Sequence, residues 1–249
     1  MAKRAIITGA SSGIGRECAL LLDEKGYEVI ALGRNKGQLN ETVALGSGPG
    51  TIIPLAVDVS SPEALKEALK NIESVDIIIA SAGVCAQGRL DEAGADDVYR
   101  RTMATNVDGV WYLFRALHDK ITPNGRAVIV SSGLGKLGRH GYGAYTASKH
   151  AVLGLTKCFA KELAPRQITV NAVCPGWVDT KMARADLVHT ATVNGTTPEQ
   201  ERQAAEEAIT LKRFVTAKEV AHLIVFLSSP EAGAITGQAY NISAGEFFA

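Results

Sequence analysis

Cysteine is scarce in this chain, and its four cysteines are widely separated along the sequence. No two of them form a C-x-x-C pair; they are Cys18, Cys85, Cys158 and Cys174. At this spacing, in a chain of 249 residues, they predict neither a disulfide framework nor a zinc site. We expect reduced and mostly buried thiols. The five histidines also lack metal-ligand spacing and are joined by no carboxylate cluster, so we expect no metal.

The chain also lacks an excess of charge and long apolar runs. Lys plus Arg number 26 and Asp plus Glu number 26, so we expect no nucleic-acid partner and no anionic membrane surface. No window approaches the roughly 18 consecutive apolar residues of a membrane span. The apolar stretch after Lys3 and Arg4 stops at Thr8-Gly9 and is too short for a secretory signal. A soluble, cytoplasmic protein without nucleic-acid or membrane partners is expected.

Short β-branched apolar runs alternate with helical patterns along most of the chain. The runs predict strands at Arg4–Thr8, Tyr27–Leu32, Thr51–Val57, Val75–Ala80, Arg126–Ser131 and Ile168–Val173. Because these runs hardly alternate with polar residues, they fit strands that are buried on both faces. The pattern predicts an α/β fold, a single Rossmann-like doubly wound parallel sheet flanked by helices.

No internal repeat or interdomain linker divides the sequence, so one domain over residues 1–249 is expected. Lys181–Gly195 has no clean strand or helix signal, and a polar helix with proline at its first position is predicted at Pro198–Ile209. Long irregular segments often cover binding sites. We therefore expect a substrate lid at residues 181–209.

A glycine-rich loop follows the first predicted strand, and a helix begins directly after it. Glycines permit a tight turn and a close backbone approach to a pyrophosphate, and the helix N-terminus offers unpaired N–H groups. Glycines after a strand can also mark only a turn, but the strand–loop–helix–strand context favours a dinucleotide site. The candidate cofactor residues here are Gly9, Ser11, Ser12, Gly13, Ile14 and Gly15.

The second predicted strand ends at Leu32-Gly33-Arg34, where no acidic residue follows. An acidic side chain at this point binds the ribose 2′-hydroxyl of NAD, whereas a cation accommodates the 2′-phosphate of NADP. The guanidinium of Arg34 can pair bidentately with that phosphate. A solvated surface arginine is the alternative interpretation. We expect NADP as cofactor, with NAD as the alternative.

Tyr145 and Lys149 lie four residues apart in a helical pattern, so their side chains emerge on one face. A nearby ammonium favours the phenolate and is expected to lower the pKa of Tyr145 toward neutral pH. Such a pair can give a proton to a ketone oxygen as hydride arrives. Lys149 is also expected to hydrogen-bond the nicotinamide ribose. Taken alone, a tyrosine and a lysine at this spacing are more often a surface contact.

The ordered set of motifs along the chain resembles the short-chain dehydrogenase/reductase family. The set consists of Thr8-Gly9-(x)3-Gly13-Ile14-Gly15, Ala80-Ser81-Ala82-Gly83, Asn106, Ser132, Tyr145-Thr146-Ala147-Ser148-Lys149 and Pro175-Gly176. Ser148–Leu155 and Thr169–Val178 look most like reductases of 3-oxoacyl thioesters and polyketides. One departure is Ala80-Ser81, where the family usually has two asparagines.

The resemblance implies further site residues. It implies that Ser132, rather than the adjacent Ser131, stabilises the substrate oxygen, and that Asn106 holds a water linking Lys149 to solvent. Asn106 stands inside a predicted helix at Asp96–His118, where asparagine is unfavourable and an exposed side chain would be the common outcome. The other cofactor residues implied are Asp58, Val59, Ala82, Gly83, Pro175, Gly176, Val178 and Thr180, with Tyr145 and Lys149 contributing to both roles.

These features predict an NADP-dependent oxidoreductase that reduces an oxoacyl, polyketide-like or cyclic ketone, possibly linked as a thioester. An NAD-dependent dehydrogenase of a secondary alcohol or hydroxyacyl thioester, and a non-catalytic dinucleotide sensor, are the alternatives. Lys136, Arg139 and Arg184 are candidates for contacting an anionic carrier, although solvated charge is an equal interpretation. Gly133–Gly143 is expected to be a mobile loop on the substrate side.

The resemblance also implies a homotetramer in which the helices around Asn106 and Tyr145 pack against copies of themselves. The closing segment Ala244–Ala249 contains two phenylalanines. They are expected to dock either on a neighbouring subunit or on the core of their own chain.

Overall fold

The computed structural model describes residues 3–248, and a parallel sheet lies at the centre of this part of the chain. Its strands are β1 (Arg4–Thr8), β2 (Glu28–Gly33), β3 (Thr51–Ala56), β4 (Val75–Ala80), β5 (Ile121–Val130), β6 (Thr169–Pro175) and β7 (Ala239–Ile242). They lie in the order β3-β2-β1-β4-β5-β6-β7, and every neighbouring pair is parallel. The order reverses between β1 and β4, which is where doubly wound sheets open a ligand crevice.

The sheet confirms the predicted fold class, and the six predicted strands are present. β1 and β4 have the predicted bounds, and β2, β3 and β6 differ from prediction by one or two residues at their ends. β5 begins five residues earlier than expected, at Ile121, because the chain pairs with Val75 before a register shift. The sequence did not predict β7, a four-residue edge strand that pairs only with β6 and is nowhere fully buried.

Helices cover both faces of the sheet. Their bounds are α1 (Gly13–Glu24), α2 (Lys36–Leu45), α3 (Pro62–Ala68), α4 (Ala95–Met103), α5 (Gly109–Leu117), α6 (Gly143–Leu163), α7 (Lys181–Asn194), α8 (Pro198–Ala208) and α9 (Ala217–Leu227). Alternate residues of each strand point to opposite faces. Ile7 therefore joins a core with α1 and α9, and Ile6 joins a second core with α3, α5 and α6.

The predicted helix at Asp96–His118 contains a π-helical turn. α4 passes into this turn at Ala104–Asp108, and α5 continues from it. π-Turns are rare and often occur at functional sites, because the extra residue changes the direction of the side chains around it. Asn106 lies within the turn and is buried. The alternative interpretation, an exposed asparagine in a helix, therefore does not hold.

The prediction that Lys181–Gly195 lacks regular structure is wrong, because α7 occupies it. The Thr180 side chain accepts a hydrogen bond from the backbone N–H of Ala183 and begins the helix. Gly195 ends the helix in the left-handed region, at φ 69°. The predicted polar helix is confirmed as α8, with Pro198 at its start and a reciprocal capping pair between Thr197 and Gln200.

The four cysteines are all free, as expected. Cys18 and Cys174 are buried and Cys85 is partly buried, whereas Cys158 is exposed on α6. Between residues 3 and 248, no helix has both the length and the apolar character needed to cross a bilayer.

Candidate active site

A cavity of about 460 Å³ runs along the carboxyl ends of the strands. One end lies against the glycine loop and Arg34, and the other lies against Ser132 and Tyr145. The cavity thus brings together residues from β1, β2, β4, β5 and β6 that are far apart in sequence. Parallel strands place their carboxyl ends at one edge of the sheet, which is why these residues meet there.

The glycine loop is built for close backbone contact. Gly9 has φ 71°, and a Cβ at this position would lie 2.8 Å from the backbone nitrogen of Ala82. The Thr8 hydroxyl accepts hydrogen bonds from the backbone N–H groups of Ser81 and Ala82, each at 3.1 Å, and so joins the ends of β1 and β4. The Ser12 side chain caps no N–H group at the start of α1. Those N–H groups are therefore available to an anion.

Gly15 differs from its five neighbours in the predicted cofactor set because it does not line the cavity. It is buried, and a Cβ there would lie 2.4 Å from the carbonyl oxygen of Gly9. The cavity is lined instead by Gly9, Ser11, Ser12, Gly13 and Ile14. Gly15 thus supports the loop by allowing α1 to pack closely against it.

Arg34 is exposed at the rim of the cavity, directly after β2. In the described part of the chain its guanidinium takes part in no hydrogen bond and no ion pair. Asp58 also lines this end. Burial raises the pKa of Asp58, but hydrogen bonds from Ser60 and the charge of Arg34 outweigh burial and hold that pKa below its usual value. An open cation beside a glycine cradle fits a dinucleotide that carries an additional phosphate.

Ser132, Tyr145 and Lys149 meet at the other end of the cavity. Ser132 follows β5 and lines the cavity together with Tyr145, whose pKa the Ser132 hydroxyl acts to lower. One helical turn after Tyr145 on α6, the Lys149 ammonium lies 5.5 Å from the centre of the tyrosine ring and donates to the Val130 carbonyl at 2.9 Å. The predicted common face of Tyr145 and Lys149 is therefore confirmed.

The predicted lowering of the Tyr145 pKa is wrong for this structure. Burial raises that pKa well above its usual value, and the negative charge of Asp186 adds to the rise. The Ser132 hydroxyl acts in the opposite direction but does not outweigh burial. Burial also lowers the pKa of Lys149 to about 8, so its ammonium is a weaker source of positive charge than a solvated lysine.

The structure separates the two adjacent serines. Ser131 is buried, and its hydroxyl donates to the Lys149 carbonyl at 2.9 Å, which attaches α6 to the end of β5. Both serines line the cavity, but the Ser132 hydroxyl accepts from the backbone N–H of Leu134 and remains able to donate to a ligand.

Asn106 lies behind the cavity wall rather than in it. Its amide nitrogen donates to the Val84 carbonyl at 2.9 Å and to the Ser148 hydroxyl at 3.0 Å, and its oxygen accepts from the Val84 N–H at 2.8 Å. A Cβ on Gly83 would lie 3.3 Å from the Asn106 oxygen and 3.5 Å from the Lys149 nitrogen. Gly83 therefore lets both side chains approach the same stretch of backbone.

The remaining predicted cofactor residues all line the cavity. They are Val59, Ala82, Gly83, Pro175, Gly176, Val178 and Thr180. Of the three cations considered for an anionic carrier, only Arg139 does so. Lys136 donates to the Ala239 carbonyl and the Asn241 side chain, and Arg184 pairs with Asp179.

Arg139 belongs to the Gly133–Gly143 segment, which begins with a short 3₁₀ turn at Gly133–Gly135. Its guanidinium pairs with Glu246 at 3.2 Å and lies 5.6 Å from the ring centre of Tyr142 and 5.3 Å from that of Trp177. The Arg139 charge is therefore held at the cavity wall by the C-terminal segment and by two aromatic rings.

The C-terminal segment docks on its own chain. Phe247 is buried and lies against Gly133, where a Cβ would come within 2.4 Å of the phenyl ring. Phe248 is 86% exposed, and Ala249 lies outside the described residues. Of the two expected arrangements, docking on the core of its own chain is therefore the one observed for Phe247.

Sequence reasoning missed several residues at the substrate end. They are Cys85, Tyr142, Trp177, Met182, Asp186, Glu246 and Phe247. Trp177 could have been found from its position next to Pro175-Gly176. Asp186 could not have been placed, because the segment that carries it gave no helix signal.

Comparison with known proteins supplies the family context. Residues 9–246 match the family described as "Enoyl-(Acyl carrier protein) reductase". The 3-oxoacyl-[acyl-carrier-protein] reductase FabG of Thermotoga maritima is 34% identical, with 98% of this chain and 97% of that protein covered. A crystallised variant of actinorhodin polyketide ketoreductase with NADPH superposes with a TM-score of 0.90, at 31% identity, and covers 98% of this chain and 97% of its own.

A second solved structure is a short chain dehydrogenase family protein from Francisella tularensis. It superposes with a TM-score of 0.88 at 26% identity, and the superposition covers 99% of both chains.

Proposed function

The chain belongs to the short-chain dehydrogenase/reductase family, and we propose that it is an NADP-dependent ketoreductase that reduces an oxoacyl, polyketide-like or cyclic ketone. The FabG relative and the actinorhodin ketoreductase are both named for reduction of such groups. The observation that carries the proposal is the convergence of Ser132, Tyr145 and Lys149 in the same cavity as the glycine loop, with the Lys149 ammonium 5.5 Å from the centre of the Tyr145 ring.

The cleft fits NADP through its own residues. Gly9 and Gly13 would let the backbone approach the pyrophosphate, the uncapped start of α1 would supply N–H donors, and Arg34 would pair with the 2′-phosphate. Asp58 and Val59 would contact the adenine, and Thr180 and Val178 would lie on the nicotinamide side. When bound, the nicotinamide supplies the hydride for reduction.

Tyr145 acts as the proton donor in this proposal. Its raised pKa keeps the hydroxyl protonated at neutral pH, which is the form needed to protonate a ketone oxygen. Ser132 lines the same end of the cavity, so both hydroxyls can stabilise negative charge developing on the same substrate oxygen. Lys149 orients the site and supplies positive charge beside the phenol.

Asn106 is a positioning residue in this proposal. It joins the backbone after β4 to Ser148, and the Ser148 hydroxyl donates to the Tyr145 carbonyl at 2.7 Å. The chain of contacts fixes the part of α6 that carries Tyr145. Retention of a water that links Lys149 to solvent is the further role we propose for Asn106.

We further propose that residues 181–209 form a substrate lid on a single domain, and that the protein works in the cytoplasm as a homotetramer. The start of α7 lines the cavity through Met182, Ala183 and Asp186, which supports the lid. Four free thiols suit a reducing compartment. Exposed aromatic side chains on α4 and α5 are available for assembly.

The first experiment is a pair of titrations with NADPH and NADH, followed through nicotinamide fluorescence. We expect much tighter binding of NADPH. Arg34→Asp should weaken NADPH binding by roughly 10- to 100-fold and NADH binding far less, because it removes a charge-assisted hydrogen bond to the phosphate. Arg101→Asp, at an exposed position on α4, is the matched control.

Turnover then separates the alternatives. NADPH-dependent reduction of a 3-oxoacyl thioester or a cyclic ketone supports the proposal. Tighter NADH binding with oxidation of secondary alcohols would favour an NAD-dependent dehydrogenase instead. Cofactor binding without turnover of any ketone, thioester or alcohol would favour a dinucleotide sensor.

A further inference from the structure

Asp186 is an uncompensated carboxylate at the substrate end of the cavity. It lies on α7, is partly buried and lines the cavity together with Cys85 and Trp177. Within residues 3–248 no lysine, arginine or histidine forms an ion pair with it, although Glu246 in the same wall is paired with Arg139. Asp186 therefore presents a carboxylate to the cavity that a hydrogen-bond donor or a cationic group of a ligand can meet.

Neutral side chains hold this carboxylate in place. One oxygen accepts a hydrogen bond from the Tyr142 hydroxyl at 2.6 Å, and the other accepts from the Gln87 amide at 3.1 Å. The same Gln87 nitrogen lies 2.8 Å from the Tyr142 oxygen and 3.0 Å from the Thr190 hydroxyl. The two donors come from different segments of the chain, Tyr142 from the turn before α6 and Gln87 from the segment after β4, so the orientation of Asp186 is fixed by the fold.

The carboxylate retains capacity for further hydrogen bonds. An ionised carboxylate has about four lone-pair sites, and the two bonds from Tyr142 and Gln87 use one on each oxygen. These partners are hydrogen-bond donors that carry no charge, so the full negative charge remains in the cavity wall. The cavity wall therefore presents a fixed, charged hydrogen-bond acceptor to a substrate at this point.

Asp186 lies at the reacting end of the cavity rather than at the adenine end. Its charge contributes to the raised pKa of Tyr145, and it also raises the pKa of Cys85, which burial brings to about 12. The Tyr142 side chain, which donates to Asp186, belongs to the turn that immediately precedes α6. A substrate whose carbonyl meets Tyr145 therefore has its neighbouring atoms close to Asp186.

We propose that Asp186 selects ketones that carry a hydrogen-bond donor, a hydroxyl or an ammonium, near the reacting carbonyl. This inference rests on the proposed ketoreductase function and narrows its substrate class. A site with a fixed, charged acceptor disfavours an analogue that lacks the donor, because the remaining lone pairs of that acceptor lose water without gaining a hydrogen bond. The same charge disfavours an anionic group at this position. Unbranched, unsubstituted acyl chains leave Asp186 unused, whereas hydroxylated, polyketide-like chains engage it.

Matched small ketones test the proposal with the unmodified protein. 2-Pentanone is the reference, 4-hydroxy-2-butanone replaces its terminal methyl group by hydroxyl, and 1-hydroxy- and 3-hydroxy-2-butanone vary the position of the donor. 4-(Dimethylamino)-2-butanone carries an ammonium, and acetoacetate carries an anion. We expect kcat/KM for at least one donor-bearing ketone to exceed that of 2-pentanone by about tenfold or more. Acetoacetate should be the poorest substrate.

Asp186→Asn and Asp186→Leu separate charge from shape. The asparagine keeps an acceptor but removes the charge, so the preference for the ammonium should disappear and acetoacetate should improve. The leucine removes the acceptor, so 2-pentanone should equal or exceed the hydroxyketones. Asp179→Asn is the control, because Asp179 pairs with Arg184 and Arg202 outside the cavity. Tyr142→Phe keeps the carboxylate but removes one of its donors, and it should retain the preference for the ammonium.

Binding supplies a readout that does not need turnover. Trp177 lines the cavity and the second tryptophan, Trp111, does not, so Trp177 fluorescence in a Trp111→Phe background reports occupancy by each ketone. Reduction of a 3-oxoacyl thioester with equal use of 2-pentanone and every donor-bearing ketone would overturn the role of Asp186 and leave the ketoreductase proposal intact. Tight NADPH binding without reduction of any carbonyl would overturn the ketoreductase proposal, while the fluorescence series would still decide the donor preference.

Discussion

Burial shifts the pKa values of the two central side chains in opposite directions. Burial raises the pKa of Tyr145, which keeps its proton on, and lowers that of Lys149 to about 8, which weakens its hold on a proton. Both effects have the same origin, since a site that excludes water disfavours the charged form of any group. The pair is therefore arranged for proton donation by a neutral phenol rather than for proton abstraction by a phenolate.

Replacement of Tyr145 by phenylalanine removes the proton donor and leaves the ring. We expect kcat to fall by roughly 10²- to 10⁴-fold, the usual contribution of a positioned acid, with little change in NADPH affinity. Steady-state kinetics and a fluorescence titration measure the two effects. Tyr112→Phe is the control, since Tyr112 lies on α5 outside the cavity. Unchanged turnover in Tyr145→Phe would remove this tyrosine from the mechanism.

The lowered pKa of Lys149 also has a consequence for stability. Below pH 8 the lysine is protonated in both the folded and unfolded states, and the folded state carries the full cost of the buried charge. Between pH 8 and the usual lysine pKa near 10.5, the folded state has lost the proton while the unfolded state still binds it. The contribution of Lys149 to stability therefore improves as pH rises through this interval.

A comparison with Lys149→Met measures this effect, because the titration of groups that Lys149 does not influence cancels between the two proteins. We expect the unfolding free energy of the wild type, relative to the variant, to rise by about 2 kcal/mol between pH 8 and pH 10. Urea unfolding at pH 7, 8, 9 and 10 measures the difference. A difference that stays constant across this range would mean that the Lys149 pKa is not lowered in the folded protein.

At the scale of helices and strands, the sequence predicted the elements whose apolar pattern is strong. β1 and β4 consist of consecutive apolar residues and were placed with their observed bounds. β7 was not predicted from the sequence, because its four residues lie at the sheet edge, bury little surface and include a tyrosine and an asparagine in the middle. A short edge strand takes its conformation from the neighbour with which it pairs, and a single sequence does not reveal that neighbour.

α7 was missed for a different reason. Its buried residues are Ala183, Leu187 and Ala191, one per turn, and two of them are too small to give an apolar stripe. The capping residues were visible, with Thr180 before the helix and Gly195 after it. Because Asp186 lies on α7, this omission hid one charged residue of the cavity wall. The glycine loop and the strand ends, in contrast, were predicted at positions that line the cavity, with the exception of Gly15.

The junction between β1 and α1 depends on the close approach of Gly9 to the backbone of Ala82. Gly9→Ala would place a Cβ within 2.8 Å of Ala82 at a φ of 71°. We expect a loss of roughly 1–3 kcal/mol in stability, and much weaker NADPH binding because the loop and the Ser81-Ala82 backbone must separate. Chemical unfolding and cofactor titration measure these effects.

Gly154→Ala is the contrasting substitution. Gly154 lies within α6, and a Cβ there meets nothing within 4 Å. The helix should gain roughly 0.5–1 kcal/mol from the lower backbone entropy of the unfolded chain, with unchanged cofactor binding. Equal effects of the two substitutions would show that the close approach at Gly9 does not matter.

At the scale of the whole molecule, the two hydrophobic cores cover the two faces of the sheet, and the cavity lies at the edge formed by the carboxyl ends of the strands. α1 and α9 cover one face of the sheet, and α3, α5 and α6 cover the other. The carboxyl ends of the strands are covered instead by α7, the Gly133–Gly143 segment and the C-terminal residues. These coverings carry Asp186, Arg139 and Glu246, so the charged groups that meet the substrate come from the connections and the sheet supplies the frame.

The outer face of α4 and α5 remains uncovered in the single chain. Trp111 is 45% exposed and lies 5.9 Å from Phe159 of α6, and Tyr99 on α4 is 50% exposed. In the proposed homotetramer, copies of these helices pack together and bury both rings. The same packing would hold α6, and with it Tyr145 and Lys149, against a second subunit.

Trp111→Glu should therefore dissociate the assembly. A carboxylate that is buried between subunits without a partner costs several kcal/mol, so we expect dimers or monomers, measured by light scattering after size-exclusion chromatography. Leu45→Glu on α2, where the leucine is 56% exposed, is the control and should remain a tetramer. A wild type that is monomeric at micromolar concentration would contradict the assembly itself. A Trp111→Glu tetramer would mean that the subunits meet through another face, and α6 would then be held by its own chain alone, through Ser131 and Asn106.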